Sequence, residues 1–251
     1  FSLLGTDLGD GMIIARFIYQ NREYTGRVLS SGTRLVVYCP DLGKALAFED
    51  IILLPPCQPT KIIGIGPNYK DTSSELPAEP SYFFKPLSSL CGAGAEIKLP
   101  SEAKNVAFEP ELAVVVGQRT RNVGIAEAGR YIAGYTCAND VTAVDLLDAN
   151  FNKGKSYDTF TPVGPWLVTD FQPGNQGIYG YLNGKKVIAS SLANLYRSAE
   201  YLLSYLSSIM TLEPGDLILT GATSRYSPIK TGDNVAVKIE GIGELTNPVI
   251  A

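Results

Sequence analysis

FEPELAVVVG, residues 108–117, decides how the chain is read. Its second half, AVVVG, is a β-branched run of the kind that forms a buried strand. Its first half sets Glu109 and Glu111 two positions apart at the mouth of that strand. Side chains at i and i+2 of a strand share a face, and at ~3.4 Å per residue the two carboxylates stand roughly 7 Å apart. Two like charges beside a core raise each other's pKa and resist ionising together. A shared proton, a neighbouring cationic side chain or a metal ion relieves the conflict. The plainer alternative is a strand end open to water, with both glutamates solvated.

Totals narrow the choice of chemistry. The 251 residues are 45% hydrophobic and 18% charged, which is ordinary for a globular chain. A net charge of −4 gives no reason to expect nucleic acid or an anionic membrane as partner. No apolar run approaches the length of a membrane span. Because residue 1 is Phe, the natural start is expected further upstream, and a targeting segment there stays open. The four cysteines (Cys39, Cys57, Cys91 and Cys137) are scattered and lack CxxC spacing, so they are read as reduced, in a cytoplasmic protein. The chain has no histidine. That excludes a Ser-His-Asp triad, a Cys-His pair and histidine-ligated zinc. Catalysis must rest on carboxylates, lysine, hydroxyls, backbone groups or a hard metal ion.

Along the chain, short strand-like runs dominate. Residues 1–56 read as a small β-rich unit with hairpin signals, and LLPPCQP (53–59) reads as a linker. Residues 57–251 form the larger unit. Its expected strands include KIIGIG (61–66), the centre of LPAEPSYFFKP (76–86), AVVVG, YIAGYTCAND (131–140), PVGPWLVT (162–169), GIYGYLNGKKV (177–187) and DLILTG (216–221). Helix is expected in IAEAGRYIA (125–133), in VTAVDLLDAN (141–150) and, most clearly, in NLYRSAEYLLSYLSSIM (194–210). VAVKIEGIGELTNPV closes the chain as a paired hairpin. The fold class is mainly β with some helix, α+β.

A third carboxylate, Asp140, ends a strong strand. It reads either as a helix N-cap or as a ligand at a strand end. Three converging carboxylates suit Mg²⁺ or Mn²⁺. They would leave one negative charge against a divalent ion, which a lysine can balance. GKSYDTFTPVGP offers Lys155, whose plain alternative is a solvated surface position. In LTGATSR (219–225), Thr220, Gly221 and the backbone N–H groups beyond them can hold a carboxylate, or form an ordinary turn.

In order, GIGPNYKD, YFFKPLSSLCGAG, FEPELAVVVG, YIAGYTCANDVTAVDL, GKSYDTFTPVGPW, MTLEPGDLILTG and IEGIGELTNPV resemble the fumarylacetoacetate hydrolase family over residues 62–248. The resemblance implies a mixed β-roll, usually a homodimer, preceded by a small N-terminal domain at 1–56. It implies that Glu109, Glu111 and Asp140 hold Mg²⁺ or Mn²⁺, that Lys155 stands beside the ion, and that Thr220 and Gly221 meet a substrate carboxylate. Tyr69 of the NY motif and Lys85 of FFKP are further substrate-binding candidates. The implied chemistry is enolate formation on a 2-oxo or β-dicarbonyl acid, leading to C–C cleavage by a hydrolase or decarboxylase, or to enol–keto isomerisation.

The chain departs from that pattern at several points. Thr72 stands where many members have a histidine, with Glu75 as the retained carboxylate. A threonine is no general base near neutral pH, so Glu75 acts alone as acid or base or is an exposed loop residue. Decarboxylation and isomerisation are then favoured over water-activated hydrolysis. Val144 replaces a common arginine, and Thr223 a common proline, which suggests a reshaped pocket with Arg225 or Tyr226 near the substrate. Two other readings stay open: a biosynthetic tautomerase or cyclase reusing the metal pocket, and a non-catalytic binding member of the family.

Overall fold

The computed structural model describes residues 12–31, 34–71, 76–149, 151–223 and 226–251. Strands dominate, in three sheets. The largest has twelve strands, and its central path runs Thr161–Val168, Ile132–Asn139, Pro110–Val116, Leu217–Leu219, Ile62–Ile65 and Tyr82–Lys85. A five-stranded sheet holds Gly177–Leu182, Lys185–Ser191, Asn234–Ile239, Gly243–Ile250 and Ile97–Lys98. A three-stranded sheet joins Thr142–Ala143, Val106–Phe108 and Ser227–Ile229.

The opening stretch forms the strand Pro110–Val116, and every residue of it is buried. It pairs with Ile132–Asn139 on one side and Leu217–Leu219 on the other. Both faces meet core, so its sequence is continuously apolar rather than alternating. Leu112, Val114 and Val116 pack into the core that also takes Ile178, Val237 and Leu245 of the five-stranded sheet. Ala113 and Val115 face a second core with Ala138, Val163, Leu217 and Leu219. By the period of two, Glu111 belongs to the Ala113 face.

Turn chemistry fixes the hairpins. Gln20 and Asn21 take φ of 50° and 60° between Ile13–Tyr19 and Arg22–Ser31. Asn183 and Gly184, at φ 52° and 77°, do the same between Gly177–Leu182 and Lys185–Ser191. Positive φ at both central residues is what a two-residue turn matching strand twist requires.

The N-terminal strands have a core of their own, with Ala15, Phe17, Val28, Val37, Cys39 and Leu46 buried together. They also continue the large sheet, because Ile13 and Ile14 pair with Val168 and Leu167.

The helix expected over 194–210 begins later, at Ala199, and runs to Ile209. Ser198 caps it, its side chain accepting the Tyr201 N–H at 3.3 Å, which fixes the start. Leu202, Leu203 and Leu206 enter the main core. The helix expected at 125–133 shortens to one turn, Ile125–Ala128, followed by a 3₁₀ turn. The helix expected at 141–150 does not form. Thr142–Ala143 pairs with Val106 and Ala107, and a 3₁₀ turn follows at Val144–Leu146. Val141, Thr142 and Val144 are β-branched, and the ladder with Val106–Phe108 satisfies their backbone better than a helix start. Asp140 therefore caps no helix. Among the described residues no helix is long and apolar enough to cross a membrane.

Candidate metal centre

Two neighbouring strands bring the carboxylates together. Glu111 lies in Pro110–Val116, Glu109 just precedes it, and Asp140 just follows Ile132–Asn139. The register Pro110↔Asn139 sets the two segments side by side. Two crossing bonds lock them: Asp140 N–H donates to the Glu109 carbonyl at 3.0 Å, and Glu109 N–H donates to Asn139 Oδ1 at 3.1 Å. One oxygen from each of Glu109, Glu111 and Asp140 then lies within 4.8 Å of the others. The solvated alternative fails for Glu111, which is 1% exposed, while the Glu109 side chain keeps 17% exposure.

Lys155 reaches this cluster from the short helix Asn152–Lys155. Its Nζ donates to Glu109 Oε2 at 3.1 Å, to Thr142 Oγ1 at 2.9 Å and to Asp140 Oδ2. Gly154 makes the approach feasible, because a Cβ there would lie 2.7 Å from the Ala143 carbonyl and 2.6 Å from Leu147. Lys155 Nζ also stands 5.1 Å from the Phe83 ring centroid. Lys85 reaches the other oxygen of Asp140. Its ammonium donates to Asp140 Oδ1, to the Phe160 carbonyl at 3.0 Å and, more loosely, to the Val141 carbonyl at 3.4 Å. It is buried, and its three protons are all engaged.

Thr220 and Gly221 close the far side. Thr220 gives both its N–H and its hydroxyl to the Leu112 carbonyl, each at 3.0 Å. Gly221 N–H donates to Glu111 Oε2 at 2.7 Å. Gly221 takes φ +97°, and a Cβ would lie 2.8 Å from the Gly66 carbonyl, so no other residue fits without strain. The Asn68 side chain ties this turn to its neighbour by donating to the Thr220 carbonyl at 2.8 Å. Tyr69 is fully buried against Thr220, and its hydroxyl lacks a hydrogen-bond partner among the described residues. Thr223 is buried with its hydroxyl likewise unpaired. Thr72, Glu75 and Arg225 lie outside the described residues, and Tyr226 is exposed.

Sequence reading missed two supports, Thr142, which fixes Lys155, and the Asn139 side chain, which fixes Glu109; the Gly221 amide, expected to meet a substrate carboxylate, reaches Glu111 instead. Their signal was weak. Each is an ordinary polar residue or a backbone group whose role depends on the register of strands far apart in sequence.

Electrostatics follow from this geometry. Burial, with the Asp140 charge behind it, pushes Glu111 well above the usual carboxylate range. Burial also raises Glu109, which Lys155 only partly offsets. Burial would raise Asp140 too, but Lys155 and Lys85 together outweigh it and hold this carboxyl low. Lys155 is held above its ordinary value, since Asp140 and Glu109 overcome its burial. Burial dominates at Lys85 and lowers it. With all five groups ionised, three carboxylates against two ammonium groups would leave one uncompensated negative charge. Oxygen donors of this kind suit Mg²⁺ or Mn²⁺.

A pH dependence follows. Above the ordinary glutamate value of 4.5, an unfolded chain has lost the protons that folded Glu109 and Glu111 still hold. The ion-free fold therefore loses stability as pH rises from there through the raised range. An ion that needs both carboxylates ionised stabilises most over the same span. At 100-fold excess over Kd, Mg²⁺ should add about 2.7 kcal/mol, or about 5–10 °C in Tm, at pH 8. At pH 5 the shift should fall below half of that in scanning calorimetry. Equal shifts at both pH values would contradict this electrostatic account.

Known proteins share this architecture. The family model described as fumarylacetoacetate (FAA) hydrolase C-terminal matches residues 61–250. An uncharacterized protein of Archaeoglobus fulgidus is 40% identical over 244 residues, covering 95% of this chain and 96% of that one. Oxaloacetate tautomerase fahd2, mitochondrial, of Xenopus laevis is 38% identical over 217 residues, covering 79% and 68%. Among solved structures, 5-carboxymethyl-2-hydroxymuconate delta-isomerase from Mycobacterium smegmatis superposes with a TM-score of 0.90 at 35% identity, covering 95% of this chain and 98% of that one. The chain belongs to the fumarylacetoacetate hydrolase family, and its fold is that family's. Relatives in the family are isomerases, decarboxylases and hydrolases.

Proposed function

We propose that this chain is a divalent-metal-dependent enzyme acting on a 2-oxo or β-dicarbonyl acid, with enol–keto isomerisation or decarboxylation favoured over hydrolysis. One observation carries the reading: Glu109, Glu111 and Asp140 present oxygens within 4.8 Å of one another in a buried site that also holds Lys155. Mg²⁺ or Mn²⁺, bound there by the three carboxylates, supplies the positive charge that stabilises an enolate. Lys155 provides a second positive charge and a proton donor beside the reacting oxygens. Tyr69, with its unpaired buried hydroxyl against Thr220, is the side chain best placed to donate to the substrate carboxylate. Thr220 and Gly221 shape that subsite. Glu75 keeps the role of proton carrier. Without any histidine, activation of a water molecule would fall to Glu75 alone, and this favours reactions that move only a proton or release CO₂. The division at residue 56, a homodimeric assembly and a reducing, cytoplasmic setting belong to the same reading.

The test is calorimetric titration of Mn²⁺ into chelator-stripped protein, with and without oxalate, followed by turnover of oxaloacetate-like and acylpyruvate-like acids. Oxalate has the shape and charge of the enolate of a 2-oxo acid. Tighter Mn²⁺ binding with oxalate, and turnover that stops on chelation, are the expected results. Metal binding without turnover would favour the biosynthetic tautomerase or cyclase. Absence of both would favour a non-catalytic binding protein.

A further inference from the structure

In each carboxylate of the acidic cluster at least one oxygen is held by a donor of the protein, and in Asp140 both are, Oδ2 by the shared Lys155. Asp140 Oδ1 takes the Lys85 ammonium, Glu111 Oε2 takes the Gly221 amide at 2.7 Å, and Glu109 Oε2 takes Lys155 at 3.1 Å. The three holds differ in permanence. Lys155 is shared among Glu109, Asp140 and Thr142, so it can redistribute within the site. The Gly221 amide is fixed by a turn that only glycine fits. Lys85 is fixed by the Phe160 and Val141 carbonyls and contacts neither Glu109 nor Glu111. It sits behind Asp140, and the Lys155 contact shared by Asp140 Oδ2 and Glu109 Oε2 marks Oδ2 as the oxygen facing the cluster.

We propose that Lys85 is a positioning residue that makes Asp140 a one-oxygen ligand and so biases the site towards Mg²⁺ or Mn²⁺ and against Ca²⁺. The physical ground is ligand number. Ca²⁺ takes six to eight oxygens and readily uses both oxygens of a carboxylate, whereas Mg²⁺ is satisfied by one or two carboxylates with water and substrate completing its shell. With Asp140 Oδ1 and Glu111 Oε2 both withheld, the cluster has few oxygens to offer a large ion. The inference rests on the metal-enzyme reading above and goes beyond it, since the three carboxylates alone do not discriminate between these ions.

The experiment is calorimetric titration of Mn²⁺ and of Ca²⁺, separately, into chelator-stripped wild type, Lys85→Met and Lys85→Gln. Removing a cation strengthens binding of any divalent ion, so the readout is the ratio of the two affinities, in which that common gain cancels. Wild type should prefer Mn²⁺, and Lys85→Met should narrow the preference about tenfold, the scale of an outer-shell partner's effect. Lys85→Gln, whose amide keeps a donor for Asp140, should narrow it less. An unchanged ratio in a Lys85→Met protein with native circular dichroism would overturn the inference. If neither variant folds, the wild type decides: equal affinity for the two ions overturns the inference. No binding of either ion to wild type would instead sink the metal-enzyme reading itself, so the two failures are distinguishable.

Discussion

Glu111→Gln should weaken Mn²⁺ binding by at least about 100-fold, since losing even an outer-shell partner costs ~10–100-fold. Ion-free, the same variant should be more stable than wild type. Both effects come from one placement. Glu111 sits on a strand buried on both faces, 1% exposed, with the Asp140 carboxylate as its strongest charged neighbour. Among the described residues its hydrogen-bond partner is a backbone amide. A carboxylate in that position is costly unless a cation repays its lost hydration. Glutamine removes the charge, preserves the shape and can still accept the Gly221 N–H. The ion-free gain should be about 1 kcal/mol, or about 2–4 °C in Tm. Calorimetric titration and a melting curve on the chelated protein measure the two halves. Retained Mn²⁺ affinity would mean that the ion, if any, binds elsewhere. An ion-free protein less stable than wild type would mean that Glu111 is chiefly structural.

The fold was legible wherever local chemistry dictated it. The apolar run at 113–116 and the leucine spacing of 202–206 each read correctly, because each depends on residues close in sequence, whereas GIYGYLNGKKV, expected as one strand, is turned back on itself at Asn183 and Gly184. The acidic cluster was legible for a different reason. Two glutamates two apart in an apolar strand conflict with their surroundings, and that conflict is itself a signal. The 141–150 segment misread because its apolar spacing looked helical in isolation, while a ladder to Val106 and Ala107 decided its conformation. Long-range pairing of that kind leaves no local trace. The same limit applied to Lys85. Sequence placed it beside the site as a candidate for substrate contact, but only the fold puts its ammonium behind Asp140 with its protons engaged. Thr220 similarly commits its hydroxyl proton to the Leu112 carbonyl. A side chain's type can be read from sequence, but the partner that occupies it cannot.

Lys155→Met should lower kcat by about 10²–10³, the usual cost of removing one preorganised electrostatic donor, without weakening Mn²⁺ binding. The two halves separate a chemical role from a structural one. Lys155 bonds to Glu109 and Asp140, and a lysine needed to hold the cluster together would, when removed, scatter those ligands and abolish ion binding. A lysine that acts on the substrate leaves the ligands in place, because the Glu109–Asp140 contact is set independently by the Asp140 N–H on the Glu109 carbonyl and by Asn139. Loss of its positive charge should then strengthen ion binding slightly. Methionine is a fair probe, since it matches the apolar length of lysine and leaves its end near the Phe83 ring, 5.1 Å from where the ammonium stood. Lys155→Arg should not restore activity. The planar guanidinium is larger than the ammonium, and Gly154 already lies against Ala143 and Leu147 with no space to retreat. Steady-state kinetics at saturating Mn²⁺, run beside a titration of the ion, measure both effects. Turnover within about threefold of wild type would remove Lys155 from the chemistry. Loss of ion binding together with turnover would return it to the scaffold, and the proton transfers would then have to be sought at Glu75 and Tyr69.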